Sequence, residues 1–177
     1  MTDYKRVYLS IGSNLLDKKA NLQAAIDEIH LTTGEITNIS SIYKTPSWGF
    51  EGEDFYNICI ELQSNVPASP LLKKLLEIET LLGRKRGLTE GYQDRLIDID
   101  MVLYENIEIN TDFIALPHPK AVDRKFVLYP LREILSLENA SINRKNIDKL
   151  IDHCIDKSPI EKVSSQVLET PQKGYQT

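Results

Sequence analysis

Along several stretches of this chain apolar and polar residues alternate, and along others the apolar positions recur at helical spacing. That pattern predicts most of the elements. Arg6–Ile11 reads as a first strand, broken by Gly12-Ser13-Asn14, residues suited to a tight turn. Asp17 is placed to cap a helix that runs to about Leu31, whose Leu22, Ala25, Ile26 and Ile29 form one apolar stripe. Gly34 closes that unit, and Glu35–Tyr43 reads as a second strand with imperfectly spaced isoleucines. Phe55–Leu62 is a third strand: Tyr56, Ile58, Ile60 and Leu62 share the core face, and Phe55, Asn57, Cys59 and Glu61 share the other. Ser69 as N-cap and Pro70 at the first helical position predict a helix to about Leu82, with Leu72, Leu75, Leu76, Glu79 and Leu82 turned to the core and Gly83 as C-cap.

The strand Arg95–Tyr104 is the most informative stretch. Ile97, Ile99 and Met101 fall on one face, and Asp98 and Asp100 fall side by side on the other. Each residue advances about 3.3 Å, so the two aspartates stand roughly 7 Å apart along the strand. That spacing allows both carboxylates to grip one divalent cation, or two cations about 4 Å apart. Solvation alone would also place polar residues on an outward face, but Asp is depleted in strands and like charges on neighbouring sites repel.

Glu105-Asn106 is a hairpin-type turn into a short edge strand, Ile107–Ile109. Two prolines stiffen the backbone around His118. Lys125–Ile134 reads as a helix despite Pro130, Asn146–Ile155 as another, and the residues from 161 onward as a tail with or without a strand. The order strand–helix–strand–strand–helix–strand predicts an α+β, ferredoxin-like βαββαβ core with an antiparallel sheet and helices packed on both faces. One domain over residues 1–160 is expected, with 161–177 as its tail.

Composition narrows the function classes. A net charge of −5 disfavours a general nucleic-acid binder. The charge is uneven, however: Arg84, Lys85, Arg86 and Arg95 face only Glu90 and Asp94, and His118–Arg132 is locally basic. Basic segments on an acidic chain suggest a confined anion site. Carboxylates that hold Mg²⁺ beside arginines that hold oxyanions are the usual parts of a phosphoryl-transfer site. Cys59 and Cys154 lie in unrelated contexts and offer neither a disulfide framework nor zinc spacing. No apolar signal region follows Met1–Arg6, and no run approaches a membrane span, so a cytoplasmic protein without membrane attachment is expected. Trp48 and Phe50 sit in the irregular segment 44–54, where exposed aromatics suit a lid or wall for a planar ligand as well as a fold-back onto the domain. Phe55 followed by Asn57 could stack on and hydrogen-bond a flat heterocycle.

Taken together, Ile11-Gly12-Ser13-Asn14-Leu15, Ser41-Ile42-Tyr43-Lys44-Thr45-Pro46, Asp54-Phe55-Tyr56-Asn57, Leu82-Gly83-Arg84, Arg95-Leu96-Ile97-Asp98-Ile99-Asp100, Pro117-His118-Pro119 and Leu128-Tyr129-Pro130-Leu131 resemble the 6-hydroxymethyl-7,8-dihydropterin pyrophosphokinase family of folate biosynthesis. The resemblance covers roughly residues 6–135. It implies transfer of the pyrophosphoryl group of ATP to the hydroxymethyl oxygen of the pterin, with release of AMP. It implies that Asp98 and Asp100 hold two Mg²⁺ ions and that Arg84 and Arg95 are the catalytic arginines. Arg86, Arg95, His118 and Arg124 would contact the ATP phosphates, and Met101 would meet adenine through its backbone. Phe55 and Phe126 would sandwich the pterin, whose edge would meet Asn57 and the backbone near Thr45, Pro46 and Trp48. The sequence departs from the family where a Trp-Gly-Pro often precedes the arginine aligned with Arg95: here the segment is Gly91-Tyr92-Gln93-Asp94, and residues 87–94 receive no role. A ferredoxin-like RNA-binding module is the competing class, but the Asp98/Asp100 face would repel a phosphate backbone. A monomer acting on small molecules is expected.

Overall fold

The computed structural model describes residues 3–83, 95–165 and 167–172. Strands β1 (Lys5–Ser13), β2 (Glu35–Ile39), β3 (Tyr43–Thr45), β4 (Phe55–Ser64) and β5 (Asp98–Tyr104) alternate with helices α1 (Lys18–Thr32), between β1 and β2, and α2 (Ala68–Leu81), between β4 and β5. A small hairpin follows, β6 (Ile109–Asn110) and β7 (Ala115–Leu116), then α3 (Lys125–Ile134), α4 (Ile147–Asp152) and β8 (Glu161–Lys162). The main sheet runs β5-β1-β4-β3-β8, with β2 also on β4, and every pairing is antiparallel. This is the ferredoxin-like α+β arrangement.

The two faces of the sheet bury different layers. Val7, Leu9 and Ile11 of β1, Ile58, Ile60 and Leu62 of β4, and Ile99 and Met101 of β5 join the buried stripes of α1 and α2. On the opposite face Tyr8, Cys59, Val102 and Leu103 meet Val127 and Leu131 of α3. The strand period of two thus holds through the central strands, and both faces are covered, as the element order predicts. Val102 and Leu103 share a layer because the β1–β5 register slips between Tyr8 and Leu9: Tyr8 opposes Leu103 and Leu9 opposes Met101, leaving Val102 as an extra residue. The Val102 carbonyl accepts the His118 N–H at 2.8 Å, so the bulge anchors that histidine's backbone.

Local chemistry explains where the structure departs from the pattern. The expected second strand, Glu35–Tyr43, is divided into β2 and β3, each pairing with its own half of β4. At the break, Ser40 N–H donates to the Cys59 carbonyl and Ser40 Oγ accepts the Cys59 N–H, both at 2.9 Å, so a side chain replaces a rung of the ladder. Helix α2 begins at Ala68 with Pro67 before it, and Ser69 is not the cap. Pro70 is tolerated there because first-turn N–H groups have no helical acceptor. The buried face of α2 is Leu71, Leu75, Ile78 and Glu79, whereas Leu72 and Leu76 are only half-buried. Asp17 caps α1 as expected, accepting from Ala20 N–H at 3.0 Å. Across the expected Glu105-Asn106 turn Ile107 makes a single antiparallel bridge to Tyr104 of β5, and Ile109–Asn110 then pairs with Ala115–Leu116. Glu161–Lys162 adds a strand to β3.

Candidate active site

The row Asn57–Gly12–Asp98 crosses β4, β1 and β5 in register, and Cys59–Ser10–Asp100 is the next row. Gly12 stands in the middle and contributes no side chain. A Cβ there would lie 3.2 Å from Asn57 Oδ1 and 3.5 Å from the Phe55 ring, so the glycine leaves open the floor of a cleft. Phe55, Phe126, Trp48 and Phe50 form its walls. Phe50 meets Phe55 edge-on, with ring centres 6.3 Å apart at 88°. Asn57 is buried and orders the rim of the cleft: its amide nitrogen donates to Thr45 Oγ1 at 2.9 Å and to the Tyr43 carbonyl at 3.2 Å. Thr45 and Pro46 complete that edge.

A second cleft opens on the other side of β5. Leu72 and Leu76, expected in the core, line it together with Met101 and His118. β5 is an edge strand of the sheet, and Glu79 of α2 accepts the Ile99 N–H at 2.7 Å, between the two aspartates. The backbone of Met101 stands two residues further along that same edge. His118 Nδ1 accepts the Lys120 N–H at 3.2 Å. Burial holds the imidazole pKa below its usual 6.5, reinforced by Arg124 and Lys120 and only partly opposed by Asp98. The neutral ring therefore carries its proton on Nε2, a donor available for an anionic oxygen.

Among the described residues the clefts share Arg95, Asp98, Asp100 and Arg124. Arg95 Nη1 lies 3.0 Å from Asp98 Oδ1, and Arg124 Nη1 lies 3.6 Å from Asp100 Oδ2. The aspartate side chains are 28% and 33% exposed, so each keeps an open side. The Arg124 guanidinium is itself buried, 5.4 Å from the Trp48 ring centre and 5.5 Å from that of Phe126. Asp98 and Asp100 are the residues that could hold a metal. Among the described residues no group of three or more His, Cys, Asp or Glu side chains is arranged to enclose an ion. Two carboxylates without further protein ligands suit a cation that completes its shell with water and phosphate oxygens.

Of the residues singled out from the sequence, Thr45, Pro46, Trp48, Phe55, Asn57 and Phe126 gather in the first cleft, Met101 and His118 in the second, and Arg95, Asp98, Asp100 and Arg124 at the junction. Arg84 and Arg86 lie outside the described residues. The sequence reading missed Glu79 and Asn14 as site-shaping residues. A carboxylate in an otherwise apolar helical stripe was the available signal for Glu79. Asn14 looked like turn chemistry, yet it is fully buried and bonded to residues 39 and 81 positions away.

A family model described as 7,8-dihydro-6-hydroxymethylpterin-pyrophosphokinase (HPPK) matches residues 8–136. The 2-amino-4-hydroxy-6-hydroxymethyldihydropteridine pyrophosphokinase of Methylorubrum extorquens is 38% identical over 131 residues, covering 73% of this chain and 82% of that protein. The protein of the same name from Aquifex aeolicus is 36% identical over 129 residues, covering 72% and 79%. Among solved structures, a Plasmodium falciparum HPPK-DHPS superposes with a TM-score of 0.64 at 14% identity, covering 85% of this chain. This chain spans 44% of the length of that one, and the likeness there is one of fold. With a matched region that contains both clefts and the Asp98/Asp100 strand joining them, the chain belongs to the 7,8-dihydro-6-hydroxymethylpterin-pyrophosphokinase family.

Proposed function

We propose that this protein transfers the β,γ-pyrophosphoryl group of ATP to the hydroxymethyl oxygen of 6-hydroxymethyl-7,8-dihydropterin, giving AMP and the dihydropterin diphosphate of folate biosynthesis. The observation that carries this reading is the junction. Among the described residues an aromatic cleft and a cleft with cationic and backbone groups share Arg95, Asp98, Asp100 and Arg124, so ligands filling both would meet over two carboxylates and two guanidinium groups.

The pterin stacks among Phe55, Phe126 and Trp48. Its ring N–H groups donate to Asn57 Oδ1, which faces the cleft floor while the amide nitrogen is engaged by Thr45 and Tyr43. ATP fills the second cleft, its adenine against the outer edge of β5 at Met101 and its phosphates toward His118, Arg124 and Arg95. Asp98 and Asp100 would hold two Mg²⁺ ions, which would supply charge neutralisation on the phosphates. The pterin hydroxyl gives up its proton to water as its oxygen bonds to the β-phosphorus and the bond from that phosphorus to the α–β bridging oxygen breaks, and AMP departs with the bridging oxygen. Arginine is suited to the transferring group because its planar fork binds phosphate oxygens bidentately and stays charged. By the family resemblance, Arg84 would act with Arg95 as a catalytic arginine and Arg86 would contact the ATP phosphates. Positioning and charge stabilisation do most of the work in such a transfer, so no covalent intermediate is required.

No helix among the described residues is long and apolar enough to cross a membrane. We place the enzyme in the cytoplasm as a monomer, with the catalytic domain over residues 1–160. Incubation with ATP, Mg²⁺ and 6-hydroxymethyl-7,8-dihydropterin is expected to yield AMP stoichiometrically with the pterin diphosphate. ADP as product, or no turnover, would overturn the assignment.

A further inference from the structure

We propose that Asn14, just past the end of β1, is a positioning residue that ties the catalytic arginine Arg95 and the aromatic loop 46–54 to one fixed point; the proposal rests on the reaction assigned above. Asn14 is fully buried. Its Oδ1 accepts the Arg95 N–H at 2.6 Å, and its own backbone N–H donates to the Arg95 carbonyl at 3.1 Å. Both polar groups of the Arg95 backbone are therefore held by one residue, three positions before the aspartate that its guanidinium meets. The same side chain turns its amide nitrogen to the Glu53 carbonyl, at 3.1 Å. Glu53 lies near the end of the loop that carries Trp48 and Phe50, two residues before Phe55.

The anchor is itself braced. Asn21 on α1 donates to Ser13 Oγ at 3.0 Å and to the Leu15 carbonyl at 2.8 Å, on either side of Asn14. A chain of amides thus runs from α1, through the turn after β1, to one wall of the aromatic cleft and to the junction. The residue type matters. Arg95 needs an acceptor and Glu53 needs a donor, and only a side-chain amide of this length offers both. Aspartate keeps the acceptor and loses the donor; alanine loses both.

That difference gives the test. Asn14→Ala and Asn14→Asp would be compared with wild type in steady-state AMP formation, and in fluorescence titration of the pterin in the presence of a non-hydrolysable ATP analogue. Asn14→Ala is expected to lower kcat by about 10²-fold through misplacement of Arg95, and to raise the pterin KM and Kd by about tenfold through the loosened loop. Asn14→Asp is expected to raise the pterin KM and Kd to a similar extent while retaining at least about ten times the kcat of the alanine variant. Adding Asn14→Ala to Arg95→Ala should cost little further kcat, because the two act as a unit. A residue that only satisfied buried backbone groups would give two variants differing in thermal stability and active fraction alone, with wild-type KM and Kd; that result, or identical kcat and KM in the two variants, overturns the proposal. Failure of the wild-type protein to form AMP overturns the reaction assignment and this inference with it, whereas wild-type turnover with unaltered variants overturns the inference alone.

Discussion

Glu61 on β4 and the Asp98/Asp100 pair on β5 lie on the same face of one sheet, and they are held in opposite ways. Glu61 is 5% exposed and accepts hydrogen bonds from Tyr8, Thr37, Asn38 and Ser136. Burial alone would push its pKa up, but those donors outweigh it and hold the carboxyl below its usual 4.5. Tyr8, buried and bonded to this carboxylate, is pushed up to about 12. The aspartates keep open sides and face arginines that a ligand could take over. A carboxylate enclosed by four protein donors is part of the scaffold; one that shares its charge with exchangeable arginines at the meeting of two clefts is available for chemistry.

The largest effect expected from this contrast concerns Asp100. Asp100→Ala should lower kcat by at least about 10³-fold, the order that loss of a metal-holding carboxylate entails. Its melting temperature should fall less than that of Glu61→Ala, because Asp100 is one-third exposed and meets the buried Arg124 only at 3.6 Å, whereas Glu61 serves four donors. Normal turnover by this variant would remove the metal assignment. Glu61→Ala should show the reverse pattern. It strips the acceptor from four donors and should cost on the order of 3 kcal/mol of unfolding free energy, measured by denaturant titration, with kcat of the folded protein nearly unchanged. Comparable losses of activity in both variants would erase the distinction between the regions.

Acid should separate them next. His118 has a lowered pKa, so below about 6.5 the unfolded chain takes up a proton that the folded site resists, and stability declines as pH falls. Glu61 and Glu133 also have lowered values. Their stabilisation is present above 4.5 and is lost as pH falls through their folded values, a second stage of decline. His118→Gln should flatten the first stage and Glu61→Gln part of the second, as read from denaturant melts over this range. A single stage insensitive to both substitutions would contradict the assignment. The smallest effect expected is at Phe50, which borders the aromatic cleft edge-on to Phe55. Phe50→Ala should raise the pterin Kd severalfold, the equivalent of about 1 kcal/mol, and leave ATP affinity unchanged. An unaltered pterin Kd would place Phe50 outside the binding wall.

How far the sequence carried the reading depended on the range of the interactions. The alternation around Ile58 and Ile60, the stripe Leu22-Ala25-Ile26-Ile29 and the opposed faces of β5 are local patterns, and they match the structure. The Asp98/Asp100 spacing and the aromatic–amide pair Phe55/Asn57 were legible for the same reason. The division of β2 from β3 was not, because it depends on a serine hydroxyl meeting a residue 19 positions away. Of the stripe expected on α2, Leu75 and Glu79 are buried, whereas Leu72 and Leu76 line the second cleft and Leu71 and Ile78 join the core instead; periodicity alone does not fix which flank is buried when a helix is apolar on two sides. Asn14 and Glu79 were hidden for a third reason. Each acts on backbone groups of a distant strand or loop, and no side-chain pattern encodes such a partner.

The most direct measurement follows the β-phosphorus of ATP. With ATP labelled at that position, Mg²⁺ and 6-hydroxymethyl-7,8-dihydropterin, the label should leave with the pterin while the adenine leaves as AMP, and Asp100→Ala should block both. Label recovered in ADP, with a pterin monophosphate as the other product, would contradict pyrophosphoryl transfer across the Asp98/Asp100 junction.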